Sequence, residues 1–502
     1  EKELNYRAFP FVPGKIAAVI LSHAHIDHSG LLPKLVRDGF SGVIHATTAT
    51  ADLCGAMLPD SAHIQEIEVA HLNKRNARRN QTPVEPIYTM ADAEACLDMF
   101  RTHGYGDWFQ VLPGLRARFW NAGHLLGSAS IEVEVDQPGK PLRVMFSADI
   151  GPDYKLLHPD PEGPAGVDYL ICEATYGDTD RQDASAAHRR ALLCAEVQAA
   201  MDPTGVMLIP SFAVERAQEL ISDLSQLMAE GALPQIPIYV DSPLASKATR
   251  IFAKHAAELE GGRVLLAGLQ SHNLHFTESV EDSIALDDVQ GFHIVIAASG
   301  MCEAGRIRHR LKNWISRQQA TVLLVGYQAA GTLGRIIEDG ATSVRIQGEV
   351  FDVYARIRSI DLYSGHADGP ELLAWIRERM PIAQSLFLVH GEEGAIAGLQ
   401  ARLAGVVEAG QVLVPVLDEA FDLSPNGALR LPNAAPPRLA PQSVARMDWH
   451  NDVAALMLDI NEGLAATADD RARAVLIRRL RETLAAEAPP MPGRRTRHHR
   501  HR

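Results

Sequence analysis

Short apolar runs separated by polar, glycine-containing turns organise most of the chain. Ile16 to Leu21, Leu115 to Phe119, Ile131 to Val135, Arg143 to Asp149 and Ser385 to His390 each read as a brief strand. A helix over Ser29 to Asp38 follows the first of them. Between about residues 190 and 365, apolar strands at Gly205 to Ile209, Ile236 to Val240, His293 to Ala297 and Thr321 to Val325 alternate with helical stretches such as Val214 to Met228. That rhythm predicts an α/β domain built on a parallel sheet. After about residue 425 the pattern changes: Pro432, Pro436, Pro437 and Pro441 mark a linker, and Met447 to Leu484 has helical periodicity with many Arg and Asp. The final Arg494 to Arg502 is strongly basic and reads as a charged, disordered end rather than a contact for RNA or a partner. The chain has no internal repeats.

Candidate chemistry gathers where the first strand ends. Ser22-His23-Ala24-His25-Ile26-Asp27-His28-Ser29-Gly30 packs three imidazoles and a carboxylate into six residues. His23 and His25, two apart, can converge on one ion from an extended turn, whereas Asp27 and His28 point elsewhere as the chain enters the helix. One loop can therefore serve two ions. Neutral imidazole suits zinc, and a carboxylate supplies charge compensation or orients a water. A plain His-rich surface loop is the alternative, and the flanking strand and helix argue against it. Three later positions complete a seven-ligand set: His124 in the turn Gly123-His124-Leu125-Leu126-Gly127, Asp149 and His390, each ending or following an apolar strand. Taken singly, a His or Asp at a strand end is an ordinary structural residue.

The pattern His-x-His-x-Asp-His, then a lone His, then a lone Asp, resembles the metallo-β-lactamase hydrolases. Cys172-Glu173-Ala174-Thr175-Tyr176-Gly177, Tyr363-Ser364-Gly365-His366-Ala367-Asp368 and Val389-His390-Gly391-Glu392 are similar to three further motifs of the β-CASP nucleases. That branch holds the polyadenylation endonuclease and several bacterial ribonucleases, and the resemblance runs from about residue 14 to about residue 425. It implies an α/β protein, an αββα sandwich with a dinuclear zinc site. His23, His25 and His124 would hold one zinc, Asp27, His28 and His390 the other, with Asp149 bridging. A water between the ions would attack the phosphorus, oriented by Asp27. His366 would protonate the leaving 3′-oxygen, with Glu173 holding its tautomer and raising its pKa; an ordinary turn histidine is the alternative at that position.

The implied activity is zinc-dependent hydrolysis of single-stranded RNA, endonucleolytic first, with 5′ to 3′ exonuclease action known among relatives. His390 favours RNA over DNA, because DNA-directed members generally lack a histidine there. Two other outcomes stay open: a small-molecule hydrolase of the thioester or lactam type, and a non-catalytic RNA-binding subunit. The first leaves Glu173 and His366 without a role. A homodimer is a further expectation from the relatives. Family members also carry two or three strands and an Asp-Cys-Gly-like motif ahead of the His cluster, which this chain reaches by residue 23. The expectation is that the sequence is a fragment or starts late relative to its gene; a sandwich without its first N-terminal strands would have an unpaired edge on the first sheet and weaker support behind the ligands, an effect of about 10 to 100-fold.

Glu173 precedes the α/β block, whereas His366 and His390 follow it, so the block reads as a Rossmann-like β-CASP insertion capping the sandwich. The expected division is 1–190 and 361–425 for the sandwich, 191–360 for the insertion, and 426–502 for linker and tail. Ser299-Gly300-Met301 follows a strand and precedes a basic helix with Arg306, Arg308 and Arg310, so its amides could grip an anion. Gly331, Thr332 and Arg335 repeat the idea, and Phe212 and Arg216 offer stacking and a phosphate partner. Tight strand-to-helix turns explain such glycine loops equally well.

Composition narrows the picture. With 502 residues and 46% hydrophobic content the chain can build two or three cores. Its formal net charge of −14 excludes a protein that grips nucleic acid over its whole surface, so any RNA contact is a local basic strip. Lys74, Arg75, Arg78 and Arg79 read as a solvated helix face. Cys54, Cys96, Cys172, Cys194 and Cys302 form neither a disulfide framework nor a zinc module and suit a reducing, cytoplasmic setting. No run of about 18 apolar residues suggests a membrane span, and no signal peptide precedes the first strand.

Overall fold

The computed structural model describes residues 5–78, 82–181, 184–329 and 331–432, with Asp469, 472–475 and 477–479 further on. Two units divide the chain, Glu1–Val444 and Ala445–Arg502. In the second, 472–475 and 477–479 are helical. The rest of the expected tail helix, Pro436, Pro437, Pro441 and the basic terminus lie outside the described residues, as does Arg79.

Two sheets form the first layers. Strands β1 (Ala18–Ile20), β2 (Val43–Thr47) and β3 (Phe100–His103) are parallel, in that order. Parallel neighbours need crossover connections, and the 31-residue helix Thr48–Arg78 belongs to the second of them. Its Leu53, Met57 and Leu58 pack with Leu32, Leu35, Phe40 and Ile44 in one buried cluster. β4 (Phe109–Leu112), β5 (Leu115–Asn121), β6 (Ala129–Val135) and β7 (Leu142–Phe146) follow as an antiparallel meander, and β8 (Tyr169–Glu173) joins β7 in parallel.

The chain then leaves this sheet to build another. β9 (Val206–Pro210), β10 (Ile238–Asp241), β11 (Leu274–Phe276), β12 (His293–Ala297) and β13 (Ala320–Leu324), after a hairpin of β14 (Ser343–Ile346) and β15 (Glu349–Asp352), are completed by β16 (Arg356–Ser359). The order β11-β10-β12-β9-β13-β16 is wholly parallel. Every residue of β9, β12 and β13 is buried, as continuous apolar runs require when helices cover both faces. Leu193, Leu220 and Leu224 cover one face; Ile307, Leu311 and Ile337 cover the other. β17 (Ser385–Val389) and β18 (Val412–Leu413) return to the seven-stranded sheet, with β17 in parallel register against β8. Helices Gly369–Glu378 and Glu393–Arg402 cover that sheet through Leu372, Ile376 and Leu399.

Three local expectations shift. The helix after β1 starts at Ile26 and stops at Ser29, and a second runs Leu32–Arg37, because Pro33 has no N–H for the Ser29 carbonyl. β7 ends at Phe146, and Ala148 takes a left-handed φ of 51° that turns the chain before Asp149. The basic helix begins only at Ile307, so a turn separates Ser299–Met301 from it. Within that turn the amides of Cys302 and Ala304 donate to Ser299 itself. Among the described residues β1 pairs with β2 alone, and a cavity of about 570 Å³ opens beside it, lined by Ile20, Ile131, Val133, Phe146 and Val389. No helix of the described residues is long and apolar enough to cross a membrane.

Candidate metal centre

The ends of four strands bring the seven candidate ligands together. His23 and His25 follow β1, and His25 is the N-cap of the Ile26–Ser29 helix, which puts Asp27 and His28 in its first turn. His124 lies in the turn between β5 and β6, where Ser128 Oγ accepts from the His124 and Leu125 amides at 3.1 Å. Asp149 follows β7, and His390, with a left-handed φ of 50°, follows β17.

Ligand atoms of His23, His25, His124 and Asp149 all lie within 4.8 Å of one another, as do those of Asp27, His28, Asp149 and His390. Asp149 is common to both sets. Its Oδ2 is 3.4 Å from His23 Nε2, 3.4 Å from His28 Nε2 and 3.6 Å from His124 Nε2, while Oδ1 is 3.9 Å from His390 Nε2. His124 Nδ1–H donates to the Gly365 carbonyl at 2.6 Å, which fixes the tautomer and leaves Nε2 as a lone-pair donor. His23 Nε2, His28 Nε2 and Asp149 Oδ1 are buried with no hydrogen-bond partner. Leaving such atoms unsatisfied costs about 1–3 kcal/mol each, and two N/O sets of four around a shared carboxylate fit a pair of zinc-type cations.

Electrostatics prepares these groups for cations. Burial disfavours the imidazolium forms, which pushes His25 down to about 3 and His23 and His124 below the usual range. They are neutral donors at neutral pH. Burial alone would raise Asp149, yet the facing imidazoles of His23, His28 and His366 hold it well below the ordinary carboxylate range. His390 is pushed up to about 9, chiefly by its hydrogen bond with Asp27. Beside the two sets stands a second carboxylate–imidazole pair. His366 Nδ1 is 3.2 Å from both oxygens of Glu173, which is itself anchored by the amides of Ile150 and Thr175. His366 Nε2 faces Asp149 at 3.8 Å. Burial would lower the His366 pKa, but the Glu173 charge and hydrogen bond outweigh it and the net shift is upward.

Residues 217–337 match the Beta-Casp domain, and residues 351–415 match the Zn-dependent metallo-hydrolase RNA specificity domain. Over 411 residues the chain is 35% identical to Ribonuclease TTHA0252 of Thermus thermophilus, covering 80% of this chain and 88% of that one. The chain belongs to the β-CASP family. Transcription termination factor FttA of Thermococcus kodakarensis is 29% identical over 395 residues, 76% of this β-CASP chain but 58% of the factor's own length. A solved B3 metallo-β-lactamase with an active-site glutamic acid shares 14% identity over 27% of this chain and 43% of that one, at a TM-score of 0.17. Membership of the family makes the protein a metal-dependent hydrolase, a metallo-β-lactamase sandwich with an inserted β-CASP domain.

A cleft of about 390 Å³ joins the candidate metal ligands of this β-CASP hydrolase to the parallel-sheet block. His25, Asp27, His124, Asp149 and His366 line one side, and Phe212, Glu215, Arg216 and Met301 the other. Phe212, Glu215 and Met301 sit in loops at the carboxyl ends of β9 and β12, and Arg216 opens the helix after β9, at the edge where open parallel sheets bind ligands. Phe212 is 38% exposed, with the Arg216 guanidinium 4.7 Å from its ring centroid. Ser299 and Arg306 line an adjoining apolar cavity of about 320 Å³. The Arg306 guanidinium is already engaged by Asp241, Thr277 and Glu278, and the Gly300 carbonyl accepts from Gln328. Gly331, Thr332 and Arg335 do not line these cavities. Thr332 caps the helix Leu333–Glu338, and Arg335 pairs with Asp339 one turn on.

Sequence reasoning passed over Lys155, His158 and Glu215, which meet behind His124. A lysine and a histidine in the otherwise apolar run Tyr154-Lys155-Leu156-Leu157-His158-Pro159 were the available signal. Tyr176 and Tyr327 were also missed; their rings meet edge to face, 6.1 Å apart, in a second cleft beside His390.

Proposed function

We propose that this β-CASP hydrolase is a zinc-dependent ribonuclease that cuts phosphodiester bonds of single-stranded RNA, endonucleolytically and with 5′ to 3′ exonuclease action as a second mode. The observation that carries it is the position of the Glu173–His366 pair against Asp149, the carboxylate common to both ligand sets. His23, His25 and His124 would hold one ion, Asp27, His28 and His390 the other, with Asp149 available to both sets. Two zinc ions bound there would supply Lewis-acid charge and lower the pKa of a water for in-line attack.

The chain's own groups do the rest. Asp27, whose side chain is 63% exposed, accepts a hydrogen bond from the attacking water and orients it. Arg216 Nη1, buried and without a hydrogen-bond partner, donates to a phosphate oxygen in the cleft, while its Nε is held by the Tyr363 carbonyl. Phe212 stacks on a base, and Met301 adds apolar surface to the same cleft. His366, whose pKa Glu173 raises, gives its Nε2 proton to the leaving 3′-oxygen. Within this reading 191–360 is the RNA-gripping insert, and 1–190 with 361–425 the catalytic sandwich.

Metal content and cleavage of an end-labelled single-stranded RNA test this together, with His366→Ala and a chelated sample as controls. About two zincs per chain, with cleavage lost in both controls, is the expected result, and the product ends separate internal from terminal cutting. Release of acid from a thioester or lactam with RNA left intact would replace the ribonuclease with a small-molecule hydrolase. RNA bound by metal-free protein and never cut would make it a binding subunit.

A further inference from the structure

We propose that Glu215 is a positioning residue that locks the His124 ligand loop to the insert, so that the metal centre takes its geometry only when the insert is seated. This rests on the metal-centre reading above.

Glu215 stands just before the helix Arg216–Ala229, buried, with a left-handed φ of 74°. A non-glycine residue in that region is strained and persists only where surrounding contacts over-determine it. Here they do. Oε2 accepts from His158 Nε2 at 2.7 Å and from the Leu126 amide at 3.3 Å, and Oε1 lies 3.4 Å from Lys155 Nζ. Lys155 Nζ in turn donates to the His124 carbonyl. The loop that carries His124 is thus held at its carbonyl through Lys155 and two residues later by the insert carboxylate itself. The Lys155 and His158 charges outweigh burial and push Glu215 down to about 2, so it stays ionised through the neutral range.

The neighbouring residue holds the loop that receives the same imidazole. Arg216 Nε donates to the Tyr363 carbonyl, and two residues on the Gly365 carbonyl accepts the His124 Nδ1 proton. Consecutive insert residues therefore brace the loop behind His124 and the loop that fixes its tautomer. Such supports behind a ligand typically change metal affinity or turnover 10 to 100-fold.

The test uses the full chain. Glu215→Gln keeps the side-chain size and removes the charge. We expect zinc affinity, read by chelator competition, to weaken about 10 to 100-fold, the visible spectrum of the cobalt-substituted protein to change, and kcat on single-stranded RNA to fall about as much with KM within about twofold. A purely structural role would lower the yield of folded protein but leave zinc affinity and the cobalt spectrum of the folded fraction unchanged.

A second variant, Lys155→Met with His158→Leu and Glu215→Leu, replaces the whole buried ionic cluster by apolar groups, an exchange that folded proteins often tolerate. It too should bind zinc weakly, because the loop is untethered. Parental zinc affinity and cobalt spectrum in either variant would overturn the proposal while leaving the ribonuclease reading intact. A parent that binds zinc but cuts no RNA, with both variants weak in zinc, would sink the ribonuclease and keep the positioning role.

Discussion

Gly365→Ala isolates how closely the His124 ring must be held. Gly365 has no left-handed φ, so the backbone accepts alanine. The obstacle is contact: a Cβ at that position would lie 2.9 Å from His124 Cε1 and 3.2 Å from Nδ1, where ordinary van der Waals contact begins near 3.4 Å. The ring must retreat by about 0.5 Å to restore that contact. It cannot slide freely, since Nδ1 is bonded to the carbonyl of Gly365 itself at 2.6 Å. A misplacement of about 1 Å costs about 10²-fold in turnover, so half of that predicts about a tenfold loss of kcat, or about 1.4 kcal/mol. Zinc affinity should fall with it, because the displaced Nε2 is the ligand atom. The assay is single-turnover cleavage of labelled RNA at saturating zinc beside chelator competition, with urea unfolding to show that the fold is kept. Turnover and zinc affinity both within about twofold of the parent would refute the idea that this contact sets the ligand's position.

Other consequences are as direct. Asp223→Asn removes the nearer of the two carboxylates that pair with the fully buried Arg189, at 2.9 Å against 3.9 Å for Glu219, and should lower stability in urea by about 3 kcal/mol. Glu173→Gln removes the charge that raises His366; since the acid must be protonated to work, the alkaline fall of kcat should move to lower pH, and an unmoved limb would clear His366 of that role. His255 ties Asp52 on the long helix to Glu258, and these bonds raise its pKa above 6.5 against a burial that opposes the charge. Its stabilisation is therefore complete below about pH 6.5 and is lost as pH rises through the raised value, so His255→Gln should cost most in urea at acid pH and little at about pH 9.

Much of the fold is legible because the strands of the insert are buried on both faces, which leaves uninterrupted apolar runs; His293–Ala297 falls where its sequence suggests. β2, β3 and β11 pass unnoticed because they are short and flanked by mixed residues. The helix Thr48–Arg78 is obscured by Pro59 and by alternation too weak to separate its faces. The seven candidate ligands stand out because the chemistry demands rare residue types at strand ends. Nothing local marks Glu215, whose role depends on a loop about ninety residues earlier in the chain. Arg306 and Arg335 show the reverse limit, since a basic residue after a glycine loop looks the same whether its guanidinium faces solvent or answers Asp241 or Asp339.

The pairing of β8 with β17 has a consequence for synthesis. Tyr169 and Ser385 are direct neighbours in the sheet, yet roughly two hundred residues, most of them the insert, are translated between them. At about 5–20 residues per second, β8 waits roughly ten to forty seconds on the ribosome with an open edge, and His390 arrives only after that interval. The β-CASP insert must collapse on its own while the nascent sandwich is unfinished, and throughout that time the unpaired strand is a target for chaperones and for other emerging chains.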